Sequence, residues 1–238
     1  MPKLKTLSNS RLSIFRDCPA CFWLAEMKGI KRPRGIFPSL PGGMDLVIKK
    51  HYDSHRAKGI LPPEIHGKVP YRLFQKQNVM DQWREWRTGL SFDIDGVKII
   101  GALDDALIRE EDDAFSPLDY KTRGSAPKGD GSQYYGMQMD LYGLQFRKSN
   151  RITTGDAYLV YYYPATCGDA IPEMVDFKFD VKVYRLDCVP DRAEQAVIDA
   201  IKCAQLSTMP DPSPSCEQCN YAMTSSVYRK NTSFTQAG

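Results

Sequence analysis

In the first third of the chain, hydrophobic positions recur at helical spacing. Ser8-Asn9-Ser10 offers a helix N-cap, and Leu12 and Phe15 follow on one face until Pro19 interrupts. A second short helix is predicted through Phe22 to Met27. Gly29 to Gly43, punctuated by Pro33, Pro38 and Pro41, reads as a surface loop. Leu46, Val47, Ile48 and Tyr52 then mark an amphipathic helix from Met44 to about Lys58. Met80, Trp83 and Trp86 mark another over Asn78 to Arg87, its two tryptophans three apart and expected to pack.

The period then changes. Phe92, Ile94, Val97 and Ile99 flank Asp95-Gly96, a hairpin turn signal, so a β-hairpin is expected whose second strand runs through Gly101 toward Ile108. The acidic run Glu110 to Asp113 makes a turn, and Phe115 to Thr122 the next strand. Tyr135, Met139, Tyr142 and Phe146 place a helix over Gln133 to Phe146. Residues 154–163 (TGDAYLVYYY) and 175–184 (VDFKFDVKVY) read as strands, and Asp191 to Leu206 as a helix capped by Asp191. The order is helices, hairpin, strand, helix, strands, helix, which predicts a mixed α/β fold.

Bulk properties narrow the class. The chain has 238 residues, 42% hydrophobic and 26% charged, with no apolar run long enough to cross a bilayer. It reads as one domain over residues 1–228 with a flexible polar tail over 229–238. The start MPKLKTLSNSRLSIF lacks the apolar core of a signal peptide, so a cytoplasmic location is expected and disulfides are not. A formal charge of +3 does not by itself argue for nucleic acid. Local clusters are more suggestive: Lys28, Lys31, Arg32 and Arg34, then Lys49, Lys50, His51, His55, Arg56 and Lys58.

Four of the seven cysteines form two Cys-x-x-Cys pairs at opposite ends of the chain, Cys18 with Cys21 and Cys216 with Cys219. This pairing predicts that the ends meet around one metal site, and four thiolates suit either an iron-sulfur cluster or tetrahedral Zn²⁺. Cys167, Cys188 and Cys203 have no partner at metal-ligand spacing and read as core or incidental thiols.

The pattern Asp-x-Lys occurs three times, at Asp119-Tyr120-Lys121, Asp176-Phe177-Lys178 and Asp180-Val181-Lys182. On a strand, residues two apart share a face, so each pair sets a carboxylate beside an ammonium. One carboxylate rarely fixes Mg²⁺. Asp104, in the apolar stretch IIGALDDALI, supplies a second acid on a segment expected to pair with the strand of Asp119. The other two pairs lie in a strictly alternating strand and read as its wet face. Gln138 and Tyr142 lie four apart, hence on one side of their helix.

The succession GALD, LDYK, QMDLY resembles the PD-(D/E)XK nuclease superfamily in its RecB-like branch. SNSRLSIFRDCP and the terminal cysteines are similar to iron-sulfur members of that branch, the AddB nuclease domain and the CRISPR-associated nucleases of spacer acquisition. The resemblance implies a restriction-endonuclease-like mixed sheet flanked by helices, with the terminal segments joined at the four-cysteine site. It also implies metal-assisted phosphodiester hydrolysis on DNA, as single strands or free ends, in processing, repair or CRISPR adaptation beside a helicase or integrase. Asp104, Asp119 and the Tyr120 carbonyl would hold Mg²⁺ or Mn²⁺, and Lys121 would orient a water. Gln138 and Tyr142 would contact Lys121 or the nucleic acid, and Arg11 with the basic residues 28–34 would line its path.

Two features depart from the family pattern. A histidine is usual in the first core helix as an extra metal ligand, but the corresponding stretch here is GGMDLVIKKHYD. Asp45 lies near the expected place, and His51 is the alternative. The iron-sulfur relatives set one cysteine before the core and three after it, whereas this chain has two and two. The resemblance favours a 4Fe-4S cluster and leaves Zn²⁺ as the alternative. Competing functional readings are an inactive nucleic-acid-binding module of the same fold and a zinc-bound interaction protein.

Overall fold

The computed structural model describes residues 4–33, 35, 39–86, 89–165 and 178–231. Expectations that fall on Arg34, Pro38, Cys167, Asp176 and the tail from 232 onward lie outside these residues. The chain opens with β1 (Thr6–Ser8), α1 (Asn9–Asp17) and α2 (Pro19–Lys28), followed by α3 (Ser39–Arg56), β2 (Arg72–Leu73) and α4 (Gln77–Arg84). Then come β3 (Ser91–Ile94), β4 (Val97–Ile100), β5 (Asp105–Ile108), β6 (Phe115–Thr122) and α5 (Ser132–Lys148). β7 (Asp156–Pro164), β8 (Phe179–Asp187), α6 (Pro190–Ala204) and α7 (Glu217–Asn231) complete the order. No helix among the described residues is long and apolar enough to cross a membrane.

Local chemistry accounts for most boundaries. Pro19 ends α1 and also opens α2, because the first helical turn needs no donor from that residue; Cys18 between them is extended. Gly29 closes α2 in the left-handed conformation, at φ 69°. The loop expected up to Gly43 is shorter, since α3 already begins at Ser39 and takes Pro41 into its first turn, where proline is tolerated. Trp83 is buried, but α4 stops at Arg84, so Trp86 leaves that face and is 64% exposed.

The hairpin turn is as expected. Asp95 and Gly96 both have positive φ, 51° and 74°, as a two-residue primed turn requires. The second strand, however, does not run through to Ile108. It divides into β4, in a three-stranded sheet of order β1-β4-β3, and β5, in a five-stranded sheet of order β2-β5-β6-β7-β8. Loop contacts replace the ladder in between: the Gly101 N–H donates to the Leu90 carbonyl (3.2 Å) and the Leu103 N–H to that of Trp83 (3.0 Å). A Cβ on Gly101 would lie 2.5 Å from Gln145 Nε2, so a side chain there would displace the buried Gln145 amide from its hydrogen bond to the Leu90 carbonyl.

The chain forms two compact units, one from the described parts of Met1–Gly35, Asp93–Lys98 and Gln195–Gly238, the other from those of Ile36–Phe92 and Ile99–Glu194. The second unit holds the five-stranded sheet. β5 pairs antiparallel with β2 and β6, β7 pairs parallel with β6 through the α5 crossover, and β8 closes the order antiparallel to β7. β7 is buried from Ala157 to Tyr163, as a central strand covered on both faces should be. Its alternate residues serve different cores: Ala157, Leu159 and Tyr161 pack with Met139, Tyr142 and Phe146 of α5, while Tyr158, Val160 and Tyr162 pack with Ile48 and Tyr52 of α3. β8 is an edge strand on which Asp180 and Lys182 are exposed.

The first unit carries the two Cys-x-x-Cys pairs. Cys18, Cys21 and Cys216 are buried together with Ala20, and Cys219 and Ile14 pack against them.

Candidate active site

Strand alternation builds the site from β6. Leu118 and Tyr120 join the core under α3, so Asp119 and Lys121 project to the other face, beside α5. Asp119 is fully buried, and its carboxylate pairs with the Lys121 ammonium. Gln138 spans both: its Nε2 donates to Asp119 Oδ1 (3.2 Å) while its Oε1 accepts from Lys121 Nζ (3.3 Å). One turn on, Tyr142 Oη accepts from Gln138 Nε2 (2.7 Å) and donates to the Ala102 carbonyl (2.7 Å), tying α5 to the irregular 101–104 segment. Lys121 Nζ also lies 4.7 Å from the centre of the Tyr135 ring.

Asp104 ends that segment, and the Tyr120 N–H reaches its Oδ2 at 3.4 Å. Its Oδ1 is 2.8 Å from Lys49 Nζ, which is also 2.8 Å from Asp45 Oδ2 one turn earlier on α3. Asp45, Asp104, Asp119 and Lys121 are therefore brought together, with Lys49 as an additional member. His51 instead meets Glu64, at 3.1 Å. Arg11 belongs to the first unit, where it donates to Thr6 and pairs with Glu26. A cavity of about 210 Å³ is lined by Pro41, Asp45, Ile48, Tyr120, Lys121 and Thr122.

Below the site lies a network that sequence reasoning missed. Asp105 is fully buried and accepts hydrogen bonds from Arg56 Nη2 (2.6 and 2.7 Å), Arg84 Nη2 (3.1 Å) and Tyr120 Oη (2.5 Å). Arg84 Nε also donates to the Asp104 carbonyl at 2.8 Å. The signal was a second acid beside Asp104 in the same apolar stretch: on β5 it takes the face opposite to Ala106 and needs a buried cation.

Burial opposes ionisation of Asp104, but Lys49 and Lys121 outweigh it and hold that carboxyl below its ordinary range. Asp119 goes the other way. Burial pushes it up to about 8, with Lys121 opposing and Asp104 adding to the rise. Burial and the neighbouring Asp104 thus disfavour the Asp119 carboxylate unless positive charge is added, and the carboxylate ligands are all oxygens. Such a set fits a hard divalent cation such as Mg²⁺ or Mn²⁺.

The cysteines converge as expected. Sγ atoms of Cys18, Cys21, Cys216 and Cys219 all lie within 4.8 Å of one another and form a possible metal site. Burial works against the Cys18 thiolate, yet N–H groups of Cys21 and Ser213 and the neighbouring thiols bring the thiol down to about 6. Arg32 Nη2 donates to Cys216 Sγ at 3.3 Å and pairs with Asp17 at 2.5 Å.

No curated protein matches the chain. A family model described as the PD-(D/E)XK nuclease superfamily matches residues 45–224. That span runs from Asp45 through Asp104, Asp119, Lys121, Gln138 and Tyr142 to the second cysteine pair, and stops short of Arg11 and the first. With a mixed α/β fold around the carboxylates and most of its length matched, the chain belongs to the PD-(D/E)XK nuclease superfamily, a membership that points to metal-dependent nuclease activity.

Proposed function

We propose that the protein is a Mg²⁺- or Mn²⁺-dependent deoxyribonuclease of the RecB-like branch, acting on single strands or free ends in cytoplasmic DNA processing, repair or CRISPR adaptation. The observation that carries this reading is the convergence of Asp104, Asp119 and Lys121 with Gln138 of the QMDLY helix. The chain is read as one domain over residues 1–228 with a polar tail over 229–238. A helicase or integrase partner would supply the strand.

In this reading Asp104, Asp119, the Tyr120 carbonyl and Asp45 hold the cation. When bound, it supplies Lewis-acid activation of water and neutralises charge at the scissile phosphate. Lys121 hydrogen-bonds the attacking water and offsets negative charge that develops on the phosphate. Gln138 fixes the relative positions of Asp119 and Lys121, and Tyr142 fixes Gln138 against the 101–104 backbone. Arg11, Lys28 and Lys31 would contact phosphates along the strand.

The cysteine site is the second part of the proposal. Its closest sulfur pairs are 3.4, 3.6 and 3.8 Å apart. A tetrahedral Zn²⁺ with Zn–S bonds of about 2.3 Å sets its sulfurs roughly 3.8 Å apart. A 4Fe-4S cube would have to spread the same four thiolates further. The spacing therefore favours Zn²⁺ over the iron-sulfur cluster that the resemblance implies.

The test is digestion of end-labelled single-stranded DNA, double-stranded DNA and RNA with Mg²⁺ or Mn²⁺ and a chelator control. Chelator-sensitive loss of labelled DNA is expected. Asp119→Ala and Lys121→Ala should abolish it, whereas Asp180→Ala, on the exposed edge strand, should not. Metal-dependent digestion of RNA alone would overturn the DNA assignment, and equal loss in Asp180→Ala would overturn the choice of strand.

A further inference from the structure

We propose that Lys49 is a second phosphate-contacting cation of this active site, one that competes with the divalent ion for Asp45 and Asp104 and turns to the scissile phosphate when it yields them. The proposal rests on the nuclease reading above and adds a substrate-binding residue to it. Three observations carry it.

The first is position. Lys49 Nζ lies 2.8 Å from both Asp45 Oδ2 and Asp104 Oδ1, so it occupies carboxylate oxygens that the divalent ion needs. The second is charge. With Asp119 ionised, as metal binding requires, Asp45, Asp104 and Asp119 carry three negative charges against the two positive charges of Lys49 and Lys121, which leaves one negative charge. A divalent cation turns that into one positive charge, and a phosphodiester brings the assembly to neutrality. Without Lys49 the loaded site would already be neutral, and the incoming phosphate would meet no net attraction. The third is room and reach. Lysine is a point charge on a flexible four-carbon stem, and its side chain is 21% exposed. Asp45, Tyr120 and Lys121 line a cavity of about 210 Å³ that can take a phosphate group.

A lysine that merely propped the carboxylates would give a different result from one that competes for them. Removing a prop loosens the metal site, whereas removing a competitor leaves it intact or tighter. The experiment pairs Lys49→Met with Lys49→Arg in protein stripped of divalent ions by chelation. Mg²⁺ affinity is measured by calorimetry, affinity for a labelled single-stranded oligonucleotide in Ca²⁺ by anisotropy, and cleavage in Mg²⁺ under single-turnover conditions.

Lys49→Met is expected to bind Mg²⁺ at least as tightly as wild type, to bind the oligonucleotide more weakly, and to cleave about 10²-fold more slowly. Lys49→Arg, which keeps the charge, should retain oligonucleotide affinity within a few fold. Weaker Mg²⁺ binding in Lys49→Met overturns the proposal in favour of a structural prop, as does an equal loss of oligonucleotide affinity in Lys49→Arg. Should Lys49→Met fail to fold, Lys49→Gln, which also removes the charge, takes its place in all three measurements. Wild type run alongside separates the two failures. A wild type without metal-dependent cleavage sinks the nuclease reading, whereas an active wild type with an equally active Lys49→Met sinks only the role of Lys49.

Discussion

At the scale of single residues, the amide of Gln138 does what neither an acid nor a base could do in its place. It donates a hydrogen bond to Asp119 and accepts one from Lys121, so one side chain registers both members of the pair. Gln138→Ala should slow single-turnover cleavage by about 10- to 100-fold at saturating Mg²⁺, while Mg²⁺ affinity falls less than the rate. Gln138→Glu should be worse, because it sets a third carboxylate against buried Asp119. A Gln138→Ala protein whose entire defect is repaired by higher Mg²⁺ would place this side chain among the metal ligands instead. Much of this arrangement was legible in the sequence, since strand alternation pairs Asp119 with Lys121 and helical spacing pairs Gln138 with Tyr142. Lys49 was not. In sequence it is one member of a basic run, and only the turn of α3 sets it four residues from Asp45 and facing Asp104.

At the scale of elements, the decisive feature is the interruption between β4 and β5. Hydrophobic alternation runs through Ile99, Ile100, Leu103 and Leu107 without a visible break, so the sequence reads as one strand. The break arises from contacts remote in sequence: Gly101 against Gln145, and the Leu103 N–H on the Trp83 carbonyl. By contrast, β6 is legible from Phe115 to Thr122, because its turn signals and alternation are local. The irregular segment sets Asp104 beside β6, and the Asp105 network holds it there through Arg84 and Tyr120. Asp105→Ala removes the closer of the two carboxylates paired with the buried Arg56 guanidinium, leaving Asp53 at 3.5 Å, and should cost about 3 kcal/mol in urea unfolding. Asp180→Ala on β8 should stay within roughly 0.5 kcal/mol of wild type. If Asp105→Ala unfolds at the wild-type midpoint, the network does not brace the site.

At the scale of the whole chain, the cysteine site ties residues that are almost a chain length apart. Cys18 and Cys219 are separated by 201 positions. Closing a loop of that length removes unfolded-state entropy equivalent to roughly 5 kcal/mol at room temperature, if a metal clip acts as a covalent crosslink does in the chain-entropy picture. The pairing was legible from two Cys-x-x-Cys motifs, but the identity of the metal was not, because spacing along the chain says nothing of sulfur separation in space. Nor was α7, which carries Cys219 in its first turn but has no clean apolar stripe. Protein purified without oxygen should be colourless and carry one equivalent of zinc by elemental analysis. Cys216→Ser should lose the metal and unfold at a lower temperature, because it removes a buried ligand and leaves Arg32 without its sulfur acceptor. Brown protein with iron and sulfide would show that the sulfurs open to admit a cluster. Four thiols that react freely with a thiol reagent in the native protein would show that the site binds no metal at all.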